Sequence, residues 1–144
     1  MARYHAGIRT PTDLPTAFAY LGRFDRAAQW DPGVSEGVML TDEPVARGSR
    51  FRLVIRFLGR AMALDYEVVD FEPLQRITLQ AESGAFRSTD TITFSSDPSG
   101  TLVDYESELD AKGWTRCVGP LLDLAFRRVA DRAATGLRVR LDSL

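Results

Sequence analysis

A chain of 144 residues can bury a core of its own and is expected to form one domain. Its 18 lysines and arginines against 20 acids leave a net charge of -2, which argues against a nucleic-acid binder that works by neutralising phosphates. The single cysteine, Cys117, excludes an intrachain disulfide and a zinc site of several thiolates, and the single histidine, His5, leaves almost no material for a Ser-His-Asp or Cys-His nucleophilic site.

Nearly all the basic residues are arginine, Lys112 being the lone lysine, as in the coding bias of a GC-rich bacterial genome. Arg50, Arg52 and Arg56 share one strand face, with Glu67, Glu106 and Asp110 on neighbouring runs to offset them, so no basic patch is expected. The segment Met1 to His5 has no apolar h-region and no stretch reaches the length of a membrane span. The expectation is a soluble, cytoplasmic protein.

Arg3 to Arg9 reads as a short strand. Thr10-Pro11-Thr12-Asp13 then reads as a helix start, with Thr10 as the capping hydroxyl, an early proline and an acid in the first turn. That helix runs to about Leu21 and stops at Gly22; a second, short one spans roughly Asp25 to Gln29 and ends at Trp30-Asp31-Pro32-Gly33.

Strand patterns follow. Val34 to Leu40 comes first, and Arg50 to Phe57 then alternates strictly, with Phe51, Leu53, Ile55 and Phe57 on one face. After Leu58-Gly59-Arg60, the run Ala61 to Phe71 sets Met62, Leu64, Tyr66 and Val68 against Asp65 and Glu67. Pro73 breaks it, and Arg76 to Ala81 follows. Phe86 to Phe94 keeps Phe86, Ser88, Asp90, Ile92 and Phe94 in one register, and Asp97 to Gly100 turns the chain. Thr101 to Ala111 opposes Val103, Tyr105, Ser107 and Leu109 to four acids. Period-two runs joined by short polar turns indicate antiparallel meander pairing.

From Cys117 to about Leu141, apolar residues at Val118, Leu122, Phe126, Val129, Ala133, Leu137 and Leu141 recur in steps of three or four, so one helical face is apolar. At about 1.5 Å per residue such a helix is roughly 36 Å long, enough to cross a small domain. The whole is an α+β layer, with one apolar sheet face available to the long helix.

Several fragments in this order resemble a known family. Thr10-Pro11 and Trp30-Asp31-Pro32 look like its first capping proline and W-x-P segment. Gly48-Ser49-Arg50-Phe51 resembles its G-x-x-F entry to a strand. Tyr66-Glu67-Val68 with Pro73 and Arg76-Ile77, and then Gly100-Thr101-Leu102-Val103, resemble its later hairpins. The chain is thereby similar, over essentially its whole length, to the START-like (SRPBCC) superfamily of polyketide cyclase/dehydrase and lipid-transport proteins. The resemblance implies a helix-grip fold: a curved antiparallel sheet of about seven strands wrapped around the C-terminal helix, with two short helices after the first strand.

It also implies an internal hydrophobic pocket. The faces read from alternation would line it: Phe51, Leu53, Ile55 and Phe57; Met62, Leu64 and Tyr66; Asp90, Ile92 and Phe94; Val103 and Tyr105; and Leu122, Phe126 and Val129 from the helix. Asp90 shares the register of Ile92 and Phe94, so it is either a buried polar anchor or proton-transfer group, or a residue near an open strand end facing water. Tyr66, Tyr105 and Ser107 are comparable: a phenol in an apolar pocket orients a ligand carbonyl or donates a proton, or else it is core with its hydroxyl satisfied locally. Asp90, Tyr66 and Tyr105 are therefore the candidate catalytic residues. Trp30 and Trp114 read as packing at the ends of the sheet or as a pocket rim, and Gly113-Trp114 marks a junction that gates the cavity in this fold. His5 reads as outward-facing, and Arg127-Arg128 as a solvated edge. Cys117 reads as a small apolar residue at the helix start.

Three functions fit. The first is a carrier of a small hydrophobic ligand of lipid, polyketide or isoprenoid type. The second is an aromatase/cyclase that folds a poly-β-ketone. The third is a non-catalytic partner module, such as the toxin-like member of a stress system, which would have a collapsed pocket and an exposed apolar patch. None calls for a metal or organic cofactor, and monomer and homodimer both remain open.

Overall fold

The computed structural model describes residues 2–57, 59–112 and 119–144. The period-two runs form seven strands: β1 (Ala2–Thr10), β2 (Val34–Met39), β3 (Arg50–Phe57), β4 (Arg60–Glu72), β5 (Arg76–Glu82), β6 (Phe86–Asp97) and β7 (Gly100–Ala111). They make one curled antiparallel sheet in the order β1-β7-β6-β5-β4-β3-β2. The first strand thus pairs with the last, from Ala2 opposite Leu109 to Thr10 opposite Thr101, and every other neighbour is a hairpin. This is the helix-grip arrangement expected from the sequence. Bulges between Val34 and Glu36 and between Val68 and Asp70 interrupt the ladders, and such insertions increase local bend and twist.

Helix α1 spans Leu14–Gly22, and a 3-10 turn at Phe24–Arg26 leads into α2 (Ala27–Trp30). The expected cap at Thr10 is not the cap. Asp13 accepts the Thr16 N–H at 3.1 Å, with Pro15 in the first turn, while Thr10 is the last residue of β1. A cap must lie within reach of the free N–H groups two or three residues on, and Thr10 is held in the ladder opposite Thr101. Gly100 answers the same constraint: a Cβ there would lie 2.2 Å from the Thr10 carbonyl oxygen, and its φ of +142 is one that other residues rarely adopt.

Helix α3 runs from Gly119 to Asp142. Phe126, Leu137 and Leu141 are buried and Val129 and Ala133 half-buried, as the helical spacing predicts. Residues 113–118 and the Leu122 side chain lie outside the described residues, so the readings of Gly113-Trp114, Cys117, Val118 and Leu122 have no structural counterpart. The helix packs mainly on β1 and on α2. At Gly136 it touches the end of α2 so closely that a Cβ would fall 1.8 Å from the Trp30 carbonyl oxygen. Thr12 Oγ1 donates to the Leu141 carbonyl at 2.6 Å and ties the C-terminal end of α3 to the approach to α1.

Candidate functional site

The concave face of the sheet is filled in one half and hollow in the other. Under α1, Phe18 packs its ring on Phe94 (centroids 5.0 Å) and Phe71 (5.6 Å), above a floor that includes Ile77, Ile92 and Val103. Under α3 a cavity remains, with about 110 Å³ open to the centre of a water-sized group. A single water needs only about 10–15 Å³ by that measure, so the space fits a small organic molecule. Ala130, Ala133 and Ala134 on α3 and Ala6 on β1 line it; a methyl group at each of these positions leaves the volume unfilled.

Apolar walls come from Leu53, Ile55 and Phe57 of β3, Phe86 of β6, Phe126 and Val129 of α3, and Trp30 of α2. The Trp30 indole meets the Tyr105 ring edge-on, centroids 5.9 Å apart. Polar groups gather on the sheet side. Ser88 and Asp90 alternate onto the same face of β6, and the register sets Asp90 opposite Ser107 and Ile92 opposite Tyr105. Ser107 Oγ donates to Asp90 Oδ1 at 2.6 Å and the Tyr105 hydroxyl to Oδ2 at 2.8 Å. From β4 the Tyr66 hydroxyl reaches past β5 and donates to Ser88 Oγ at 3.1 Å. Asp31, just after α2, also faces the cavity; its Oδ1 accepts the Gly33 N–H at 2.8 Å.

Burial dominates the electrostatics. It pushes the Asp90 carboxyl up, against the opposing pull of the Ser107 and Tyr105 hydrogen bonds. It carries the Asp31 carboxyl from 3.8 to about 6, the Gly33 N–H pulling down and the Asp90 charge adding to the rise. Tyr66 and Tyr105 are both raised, first by burial and then by the Asp90 charge, and stay protonated. At the edge of the cavity the Tyr4 hydroxyl donates to Asp131 at 2.7 Å, and burial with that contact lifts Tyr4 to about 12. Arg56 is the one basic residue among the described lining residues, and it is exposed. No cluster of His, Cys, Asp and Glu among the described residues could hold a metal ion.

The fold and this hollow decide the kinship together with the sequence. The family model described as polyketide cyclase / dehydrase and lipid transport matches residues 1–142. The chain belongs to that family. Among solved structures it is similar to a START superfamily protein from Mycobacterium smegmatis, with a TM-score of 0.81, 16% identity and 99% of each chain covered. It is similar also to the Zhui aromatase/cyclase from a Streptomyces species, with a TM-score of 0.80, 9% identity, and 97% of this chain and 93% of that one covered. Major latex-like protein 151 from Panax ginseng gives a TM-score of 0.70 at 10% identity, with 97% of each chain covered. At such identities the likeness is one of fold. No protein of curated function matches in sequence. No described helix is long and apolar enough to cross a membrane.

Eight residues nominated from the polyketide cyclase / dehydrase resemblance line the cavity: Leu53, Ile55, Phe57, Tyr66, Asp90, Tyr105, Phe126 and Val129. Six others are placed away from it. Phe51, Leu64, Ile92, Phe94 and Val103 are buried in packed core, and Met62 is half-buried beside it. The reason is that α1 and the 3-10 turn lie against β6, β7, β2 and β3 and cover part of the face that alternation marks as inward. Asp90 is 6% exposed, which settles its two readings in favour of burial. His5 points outward onto Asp104 at 3.1 Å, and Arg127 and Arg128 are exposed.

Asp31 was legible only as a turn residue, because an Asp two before a glycine N–H is an ordinary Asx turn. Its neighbour Trp30 pointed at the pocket rim, and that was the available signal. Ser88 shares the register of Asp90, and the Tyr66 hydroxyl that reaches it from β4 gives the position its place in the site.

Proposed function

We propose that this chain binds a small, largely apolar ligand in the cavity between α3 and the sheet. The observation that carries the proposal is the hollow itself: apolar on most sides, held open by alanines, with a few convergent polar groups on one wall. A module that works only through its surface would gain stability by filling that space, so the open cavity favours the binding function over the partner module. Mass spectrometry of the protein under native conditions, followed by release of what co-purifies, tests it. A stoichiometric apolar compound supports it; a ligand-free protein that also fails to take up hydrophobic fluorescent probes contradicts it.

A second function is favoured by one specific arrangement. Asp31, Asp90, Tyr66 and Tyr105 converge on one space with raised proton affinities, which is the set of groups an aldol cyclisation needs for proton transfer. Under this alternative, a linear poly-β-ketone mimic cyclises faster with the protein than without it, and Asp90→Asn and Tyr105→Phe slow it. Equal turnover in both variants removes these residues as the site.

A further inference from the structure

The polar wall of the cavity is rich in acceptors and poor in donors. Its hydroxyls are already engaged: Tyr105 and Ser107 donate to Asp90, and Tyr66 donates to Ser88. That leaves the Ser88 proton as the free hydroxyl donor of this group. Two carboxyls remain as acceptors. Asp90 accepts one hydrogen bond on each oxygen, and a carboxylate offers about four lone-pair sites. Asp31 Oδ2 takes no hydrogen bond from a described residue.

No described cation inside the cavity answers these two acids. The groups facing Asp31 are Asp90 from β6, Tyr66 from β4 and Tyr105 from β7, all neutral or negative. Arg56 of β3 is exposed, and Tyr4 of β1 is tied to a further acid, Asp131 of α3. A ligand carboxylate, such as a fatty acid's, would meet like charge at this wall and only the Ser88 hydroxyl as a free hydroxyl donor, with Arg56 turned to solvent at the rim. A ketone, which only accepts, would find one hydroxyl. A protonated amine supplies what is missing, a positive charge with N–H donors next to an apolar body.

We propose that the cavity takes an apolar molecule carrying a single protonatable amine, with the ammonium set against Asp31 and Asp90. This rests on the cavity-binding function and names its ligand class. Binding then displaces a proton to solvent whenever either carboxyl is protonated in the free protein, so amine affinity rises with pH through about 6, the value set for Asp31 by its burial.

Calorimetric titration of the full chain with three probes on one skeleton tests the proposal: naphthylmethylamine, acetylnaphthalene and naphthoate. The expected result at pH 8 is an amine at least about tenfold tighter than the ketone, with the carboxylate weakest. The amine advantage should shrink several-fold at pH 5, and in Asp31→Asn the amine-to-ketone ratio should fall toward one. The pH series on the parent chain stands by itself if a variant folds poorly. A naphthoate that binds as tightly as the amine, or an amine-to-ketone ratio unchanged by both pH and Asp31→Asn, overturns the ligand class while leaving cavity binding intact. Failure of all three probes with a chain that still takes up a hydrophobic fluorescent dye overturns the ligand class alone; failure of the probes and the dye together removes cavity binding as well.

Discussion

The two halves of the concave face are built from the same strands and end up with opposite properties. On β6 the change falls between Asp90 and Ile92, and on β7 between Tyr105 and Val103. On one side Phe18, Phe71 and Phe94 interlock and leave no space. On the other, aromatic rings such as Trp30 and Phe86 form walls, but the facing helix presents alanines and polar groups gather on the sheet, so the middle stays open. The difference shows how a small protein can combine stability with a binding space. Close packing under α1 supplies the stability, and the region under α3 is left under-filled.

Truncations on the two sides should separate this most strongly. Phe94→Ala is expected to cost about 3–5 kcal/mol, as large-to-small changes in close-packed cores do. Phe126→Ala, on the hollow side, should cost below about 2 kcal/mol, because its ring already borders open space. Denaturant unfolding of both variants measures this, and equal costs would erase the distinction between the halves.

The next effect depends on pH. Burial raises Asp31 from 3.8 to about 6, so the folded state holds this proton more tightly than the unfolded state. Its contribution to stability is therefore greatest in acid and falls as pH rises from about 4 through about 6, by up to about 3 kcal/mol. Asp31→Asn should flatten that part of the stability–pH curve and be more stable than the parent at pH 8. An unchanged slope would mean that Asp31 is not held away from water.

Tyr105→Phe removes one of the two donors to Asp90 and should cost about 1–2 kcal/mol at neutral pH, read from the unfolding midpoint. The smallest change tests an element outside both halves. Asp13→Ala removes the α1 cap and should lower the melting temperature by a few degrees from the parent's.

The sequence revealed the order of elements and the alternation of faces, because hydrophobic period and turn residues are local signals. Arg50 to Phe57 was bounded to the residue by strict alternation and matches β3. It did not reveal where the inner face is filled. Phe94 and Tyr105 look alike as inward aromatics, and only the seat of α1 on β6 and β7 separates them. The Thr10 cap failed for the same kind of reason: its partner Thr101 lies 91 positions away in the chain and holds it in a strand. The polar wall was half visible. Asp90, Tyr66 and Tyr105 stood out by register, whereas Asp31 joins them through the path of the chain after α2, which no periodicity encodes.

Filling the hollow half is the most direct test of whether it binds an apolar ligand. Ala130 sits on the cavity wall, so Ala130→Phe places a ring in the space without touching the packed half. Titration with an environment-sensitive hydrophobic dye should show saturable, one-to-one binding to the parent and at least about tenfold weaker binding to Ala130→Phe at matched thermal stability. Equal binding by the two proteins would place the dye elsewhere and contradict the account.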